Sequence, residues 1–471
     1  MMSMGNRSEQ FQESLWIETS SLPRSPGHPF YEKLNGILKK HGFDEMAEAA
    51  CAAFYAHGVG RPSTPPGVYF RMLFVGFFEG IDSERGIAWR TADSMALRSF
   101  LGYGLDETTP DHSNLSRTRT RIDLDTHQKI FDWVLATLAK EGLLKGKSLG
   151  IDATTLEANA ALRSIVRRDT GENYDEFLDG LAKTSGVETP TREDRSKIDK
   201  NRKGKGSNKD WTSPSDPDAR ITKMKNGCTH LAHKAEHAID MDTGALVAVT
   251  LQGADLGDTT TVHKTVASSK ENLTCAAREP DARKNMKPLR ETICDKGYHG
   301  SECLIKLQDE HNLSTYIAEP NRGRRKWKDK HDQQNATYTN RRHIKSERGK
   351  ALMRKRGELV ERSFAHLYDT GGMRRTHLRG HPNILKRLLI HAAGFNLSLI
   401  LRKMIGNGTP RGMRGFIALA KSVISALLRP LTAIKKLKRR HPKKYHPTDF
   451  TKRTTPLFFD IRLNHAFATG C

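Results

Sequence analysis

Three acidic residues stand where a metal-dependent phosphoryl transfer would need them. Asp152 closes the run KSLGID, Asp295 closes RETICD, and Glu361 lies within GELVERSFAHL. Carboxylates gathered at one point repel one another unless a cation neutralises them, and oxygen-only ligands select Mg²⁺ or Mn²⁺ over zinc. Two such ions, about 4 Å apart, activate a water or a 3′-hydroxyl on one side of a phosphodiester and stabilise the leaving oxygen on the other. A single aspartate at a strand end is ordinarily a turn or cap residue, so the case rests on three acids at the ends of core elements. His233-Lys234-Ala235-Glu236-His237 offers a rival chemistry, because it fits the inverted zinc-protease pattern H-x-x-E-H. That pattern needs a helix, whereas the residues that follow alternate and turn at Asp242-Thr243-Gly244. In a strand, residues four apart lie about 13 Å apart, too far to share an ion. His299, four residues after Asp295, has two readings: contact or proton transfer at a reacting phosphate, or a structural hydrogen bond.

The elements that must position these residues follow from periodicity. An arm at 1–30, polar and turn-rich, leads into a helical segment at 31–145. Apolar residues there recur at helical spacing around Leu34, Ile37 and Leu38, around Phe43, Met46 and Phe54, and from Val68 to Phe78. Ser83 opens a pair of helices carrying Arg85, Arg90 and Arg98, a possible helix-turn-helix reader of DNA. One capped helix is expected from Asp111 or Ser113 through Leu115, Ile122, Phe131, Val134 and Leu138. From 146 to 402 the order is strand, hairpin, helix, strand, helix, strand, helix, with polar excursions at 159–225 and 321–356. Asp258 is expected to cap the helix after the hairpin. Three strands before the first helix, then alternation, is the order of a ribonuclease-H-like α/β core with a mixed sheet, here preceded by an all-helical N-terminal domain. Residues 403–471 form a basic extension.

The 471-residue chain has 78 Lys and Arg against 54 Asp and Glu, a formal charge of +24. So large a field favours a polyanion over a small acidic metabolite. Asn321–Lys330 holds six basic residues around Trp327, which either stacks on a base or anchors its loop. Arg341–Arg356 holds eight more basic residues, and Lys435–Lys444 seven in ten. Leu388–Leu401, the longest apolar stretch near the C-terminus, is too short to span a bilayer. The six cysteines form no C-x-x-C pair. No secretory signal is evident in MMSMGNRSEQFQESLW, so a cytoplasmic protein with reduced thiols and no membrane partner is expected.

Several blocks in order carry a resemblance: QFQESLWIETSSLPRSPGHPFYEKLN, PPGVYFRMLFVGFFEGIDSERGIAWR, TPDHSNLSRTRTRI, IDATTLEANAA, SPSDPDARITKMKNG, HKAEHAIDMDTG, CDKGYHG and LVERSFAHL. Over residues 11–402 the chain resembles the DDE-type transposases of bacterial insertion sequences, most closely the eleven-eighty-two group of the IS-five superfamily with its InsH-like N-terminal domain. The resemblance implies a nucleoid-associated enzyme that binds terminal inverted repeats and target double-stranded DNA as a homodimer or higher oligomer. Asp152, Asp295 and Glu361 would be its catalytic, metal-holding acids, with Mg²⁺ or Mn²⁺. Glu358 competes for the third place, and VERSFAHL favours Glu361. Relatives often carry an Arg four residues before the glutamate and a Lys seven after it, where this chain has Gly357 and Tyr368. Arg354, Arg356 and Arg362 are the candidate replacements. Together with Arg85, Arg90, Arg117, Arg119, Arg324, Arg325 and Trp327 they make up the candidate DNA contacts. A regulator that occupies the element ends without cutting is the alternative reading.

Overall fold

The computed structural model describes residues 29–56, 63–202, 206–224, 227–321, 323 and 325–410. Residues 1–28 of the arm expected at 1–30, Arg324 and the 435–444 basic run lie outside the described residues, and Pro29 and Phe30 of that arm already belong to the first helix. Seven helices come first: α1 (Pro29–Lys40), α2 (Phe43–Cys51), α3 (Pro66–Glu79), α4 (Glu84–Ala92), α5 (Met95–Leu101), α6 (His112–Arg121) and α7 (Leu124–Lys140). They close on an aromatic core in which Phe30, Phe43, Tyr69, Phe70, Phe74 and Phe131 are wholly buried. The single helix expected from Asp111 is two. Asp123 accepts a hydrogen bond from the Thr126 amide at 2.8 Å, and this new N-cap ends α6 and starts α7.

The remaining elements build an α/β unit. They are β1 (Ser148–Glu157), β2 (Val166–Arg167), α8 (Tyr174–Thr184), α9 (Arg192–Asn201), β3 (Trp211–Thr212), β4 (Arg220–Lys223), β5 (Thr229–Asp240), β6 (Leu246–Gly253), α10 (Asp258–Ala276), α11 (Pro280–Asn285), β7 (Glu291–Cys294), α12 (Ser301–Asp309), β8 (Ser314–Ile317), α13 (His331–Lys345), α14 (Glu347–Phe364) and α15 (His381–Ile405). Six strands make one mixed sheet in the order β4-β5-β1-β7-β8, with β6 pairing on β5. β1 runs antiparallel to β5 and parallel to β7, which in turn runs parallel to β8. Opposite faces of this sheet are covered by α14 and α10: α14 meets Gly150 of β1 through Arg356 and Val360, and α10 meets Glu236 of β5 through Thr261 and Thr265.

Four expectations change. Asp152 is not at the end of its strand, because β1 continues to Glu157 against β5. The segment 159–225 is more than a polar excursion: β2 pairs with β3, and Ile165, Trp211, Ala219 and Leu231 form a small core flanked by Tyr174 and Phe177. The later basic stretch is largely helical, in α13 and α14. Gly257, not Asp258, holds the N-cap position of α10, and Asp258 is its first residue.

The apolar run near the C-terminus belongs to the 25-residue α15. That helix is long and apolar enough to cross a membrane, yet 89% of its apolar window is buried inside the protein. It packs on α3, where Gly394 meets the Phe77 ring, and on β6, where Asn396 bonds both backbone polar groups of Leu246.

Candidate active site

Parallel register sets Ser148 beside Glu291 and Ile151 beside Cys294, so Asp152 and Asp295 are the next residues on adjoining strands. Alternation turns Asp152 toward the face covered by α14, and Asp295, just past the end of β7, is near enough for its charge to act on Asp152. Asp152 accepts the Ala153 amide and the Arg356 guanidinium, each at 2.8 Å. Burial pushes its carboxyl above the usual range, Arg356 opposes that shift, and the charge of Asp295 adds to it. Arg356 reaches this position because residue 150 is glycine: a Cβ there would lie 2.7 Å from Met241 Sδ and 3.2 Å from Arg356 Cγ.

Asp295 caps the single 3-10 turn Lys296–Tyr298, accepting the Gly297 amide at 2.8 Å. Asp258, from the first turn of α10, reaches the same turn; any side chain at Gly297 would collide with its carboxylate and crowd that of Asp295. Lys234 neutralises Asp258 at 2.5 Å. On the opposite face of the sheet, the Tyr298 hydroxyl donates to Glu236 at 2.7 Å, and Thr261 and Thr265 donate to the same carboxylate. Burial raises the Glu236 carboxyl despite these three donors.

Glu361 is on α14 but not on its inward face. Leu359, Val360, Ser363 and Phe364 are buried, while Glu361 is exposed. Glu358 is exposed too, paired with Arg362 at 2.7 Å. The structure therefore brings Asp152 and Asp295 together and leaves Glu361 apart. Among the described residues no three His, Cys, Asp or Glu side chains are grouped to hold a metal ion.

The His233–His237 run lies in a strand, and its polar side chains go to four different places. His233 bonds the wholly buried Asp216 at 3.1 Å, Lys234 reaches Asp258, and Glu236 holds Tyr298. His237, opposite Asp152 in register, meets Ser363 at 2.8 Å and the Tyr368 hydroxyl at 2.5 Å. Burial drives the His237 imidazole down to about 3, so it is neutral. Tyr368 sits in a π-helical turn, Ala365–Thr370, and is itself buried. It cannot stand in for a surface lysine.

The candidate DNA contacts divide. Arg85 and Arg117 are exposed, Arg85 lying 3.5 Å from His112. Arg90 pairs with Glu79, and Arg119 is tied to Glu84 at 2.8 Å in the helical core. Arg98 braces a loop by donating to the Gly104 and Leu105 carbonyls. Arg325 pairs with Glu319, lies 5.6 Å from the half-buried Trp327 ring and 3.5 Å from His299. Arg354 is exposed, Arg362 is held by Glu358, and Arg356 alone of the three meets an acid of the site. Asp258, Glu236 and Tyr298 were missed as site residues. Their one sequence signal is the polar density of HKAEH in a strand otherwise rich in alanine.

Residues 20–121 match a family described as a transposase domain, and residues 190–397 one described as a transposase DDE domain. No curated protein and no solved structure gives a significant match.

Proposed function

The chain belongs to the DDE-type transposases of insertion sequences, and from that premise we propose that it binds terminal inverted repeats and cuts and joins DNA there on a ribonuclease-H-like core. The observation that carries this reading is that Asp152 and Asp295 each directly follow the last paired residues, Ile151 and Cys294, of two adjoining parallel strands. The chain leaves β1 toward β5 and β6 on one side and later adds β7 and β8 on the other. Such a reversal of strand order is where open α/β sheets bind ligands.

The donors fit Mg²⁺ or Mn²⁺. They are all carboxylate oxygens, and Asp152 is raised partly by the charge of Asp295, a repulsion that a divalent ion relieves. Asp152 and Asp295 would hold the ions, and Glu361, on the exposed side of α14, would be the third acid. Bound ions would polarise the attacking water or 3′-hydroxyl and neutralise the leaving oxygen. The protein's own groups keep the acids in place: Glu236 fixes the Asp295 turn through Tyr298, and Arg356 offsets the charge of Asp152. Joining two element ends calls for at least two copies of the chain on the DNA.

The test is strand cleavage with Mn²⁺ on DNA carrying the flanking inverted repeats, comparing the native chain with Asp152→Ala and Glu361→Ala. Cutting by the native chain alone is expected. Equal cutting by all three sinks the acid assignment, and tight, sequence-selective binding without cutting makes the protein an end-occupying regulator.

A further inference from the structure

Beyond Cys294, β7 no longer flanks β1, and a different segment takes the vacated place. The Glu157 amide donates to the Arg374 carbonyl at 3.1 Å, and the Thr376 amide donates to the Glu157 carbonyl at 2.9 Å, a parallel bridge centred on Arg375. Residues 371–380, GGMRRTHLRG, therefore run beside the end of β1 at Glu157, five residues beyond Asp152. Met373 and Thr376 point inward and are buried, whereas Arg374, Arg375, His377 and Arg379 are exposed.

Buried or backbone-directed groups fix this segment. Asn159 donates to the His377 carbonyl at 2.9 Å, and Asp216 accepts the Gly380 amide at 3.2 Å while bonded to His233. Asp218 accepts the His381 amide at 2.8 Å. The otherwise unexplained SPSDPDAR motif is thus the clamp on a segment whose outward polar side chains are arginines and a histidine.

Arg374 leans back toward the acids. It donates to Thr154 Oγ1 at 3.3 Å, two residues beyond Asp152 on the same face, and lies 5.5 Å over the Tyr368 ring. Its partner Asp369 and the Glu157 partner of Arg375 are surface pairs, Arg375 being 62% exposed with 3.6 Å between the charges. Pairs of this kind cost little to exchange for phosphate. Arg379 donates to the Asn159 carbonyl and has no carboxylate partner among the described residues. At its far end the segment meets Arg85 and His112 across a cleft that His377 also lines. On the other side of Asp295, beyond β8, stand Arg325 and the exposed Lys326 and Lys328.

We propose that residues 374–379 form the second wall of the DNA groove. Arg374, Arg375 and Arg379 hold the backbone phosphates on the side of the scissile bond that faces the helical segment, opposite the Arg325 wall. This rests on the transposase reading above.

The experiment measures binding of the full chain to duplex DNA carrying the flanking inverted repeats across a salt series. The native chain is compared with Arg374→Ala/Arg375→Ala/Arg379→Ala, with the corresponding triple lysine variant, and with Lys183→Ala/Lys197→Ala/Lys200→Ala, which removes the same charge from exposed positions on α8 and α9. The triple arginine-to-alanine variant should lose about tenfold or more in affinity, and its log–log salt slope should fall by about 2 to 3. Lysine should restore most of both, and the α8 and α9 control should change neither. Melting temperature and Mn²⁺ binding should match the native chain, which separates lost contacts from lost fold. Native affinity and slope in the arginine-to-alanine variant, a loss no larger than in the control, or no native binding to duplex DNA overturns the groove wall. A native chain that does not cut, but whose binding still depends on these arginines, overturns the catalytic reading and leaves the wall standing.

Discussion

Arg356 is the residue on which the site turns. It occupies the Asp152 carboxylate through a contact that Gly150 makes room for, and it stands one position before Gly357, where the resemblance implies that relatives often carry an arginine. A fixed positive charge at that distance weakens the binding of any cation to Asp152. Arg356→Ala should therefore bind Mn²⁺ about tenfold more tightly than the native chain, as read by titrating free Mn²⁺ with electron paramagnetic resonance. Weaker binding would show instead that Arg356 orients the carboxylate for the metal. That Asp152 and Asp295 come close together was legible in the sequence because each follows a short apolar run, although β1 continues past Asp152 to Glu157. The orientation of Glu361 was not, since it depends on the phase at which α14 meets the sheet: Arg356, Val360 and Ser363 take the inward stripe and leave position 361 outside. Glu236 was legible only as part of a metal motif it does not form. Its partner Tyr298 is 62 residues away in sequence, and no local pattern announces such a pair. Removing that bond in Tyr298→Phe should reduce cleavage severalfold with little change in DNA affinity, because the acid it positions would hold a metal ion rather than the duplex. Equal cleavage by the variant and the native chain would show that the Asp295 turn holds without it.

Helices and strands were read well where turn residues bound an apolar or alternating run, as Pro65-Pro66 and Gly80 bound α3 and Asp242-Thr243-Gly244 ends β5, and poorly where a cap or a small core decides. Asp123 restarts a helix in mid-run, and Trp211 organises a segment whose composition looked like an excursion. Close approach between elements is also invisible in the sequence, because glycine reads the same whether it is crowded or open. Gly394 of α15 and Gly36 of α1 make the contrast. A Cβ at 394 would lie 2.6 Å from the Phe77 ring of α3, whereas nothing stands within 4 Å of one at 36. Gly36→Ala should therefore stabilise the protein by about 0.5–1 kcal/mol through helix propensity alone. Gly394→Ala makes the same propensity gain but forces α3 and α15 apart, at a cost of about 1–3 kcal/mol. The sign should reverse, with a net loss of up to about 2 kcal/mol in urea titrations. Equal effects at the two positions would mean that α15 can shift without disturbing its neighbours.

For the molecule as a whole, the +24 charge pointed to a polyanion, but it could not say which cations are available to one. The structure sorts them: Arg119 and Arg98 serve the fold, while Arg85, Arg117, Arg375 and Arg379 face solvent. The histidines divide in the same way, and their buried members give the whole protein a pH dependence. His127 is wholly buried between the Tyr69 hydroxyl at 3.1 Å and the Asp123 carbonyl at 2.7 Å, and burial lowers it to about 4. The carbonyl can only accept, so Nδ1 carries the proton and Nε2 accepts from Tyr69. A protonated ring would have to reverse that second bond and would place a charge in the helical core. Between pH 6.5 and 4 the unfolded chain therefore binds the proton that the native chain refuses. Stability from this one group is intact above 6.5, falls by about 1.4 kcal/mol per pH unit as pH drops, and levels off near pH 4. His237, lowered to about 3, adds to the same slope, while Asp132, pushed up to about 6, opposes it below that value. The difference between proteins isolates His127. In urea titrations at pH 7, 6 and 5, His127→Gln should be less stable than the native chain at pH 7, and the gap should close by about 2 kcal/mol at pH 5. A gap that stays constant with pH would mean that His127 is protonated in the folded core.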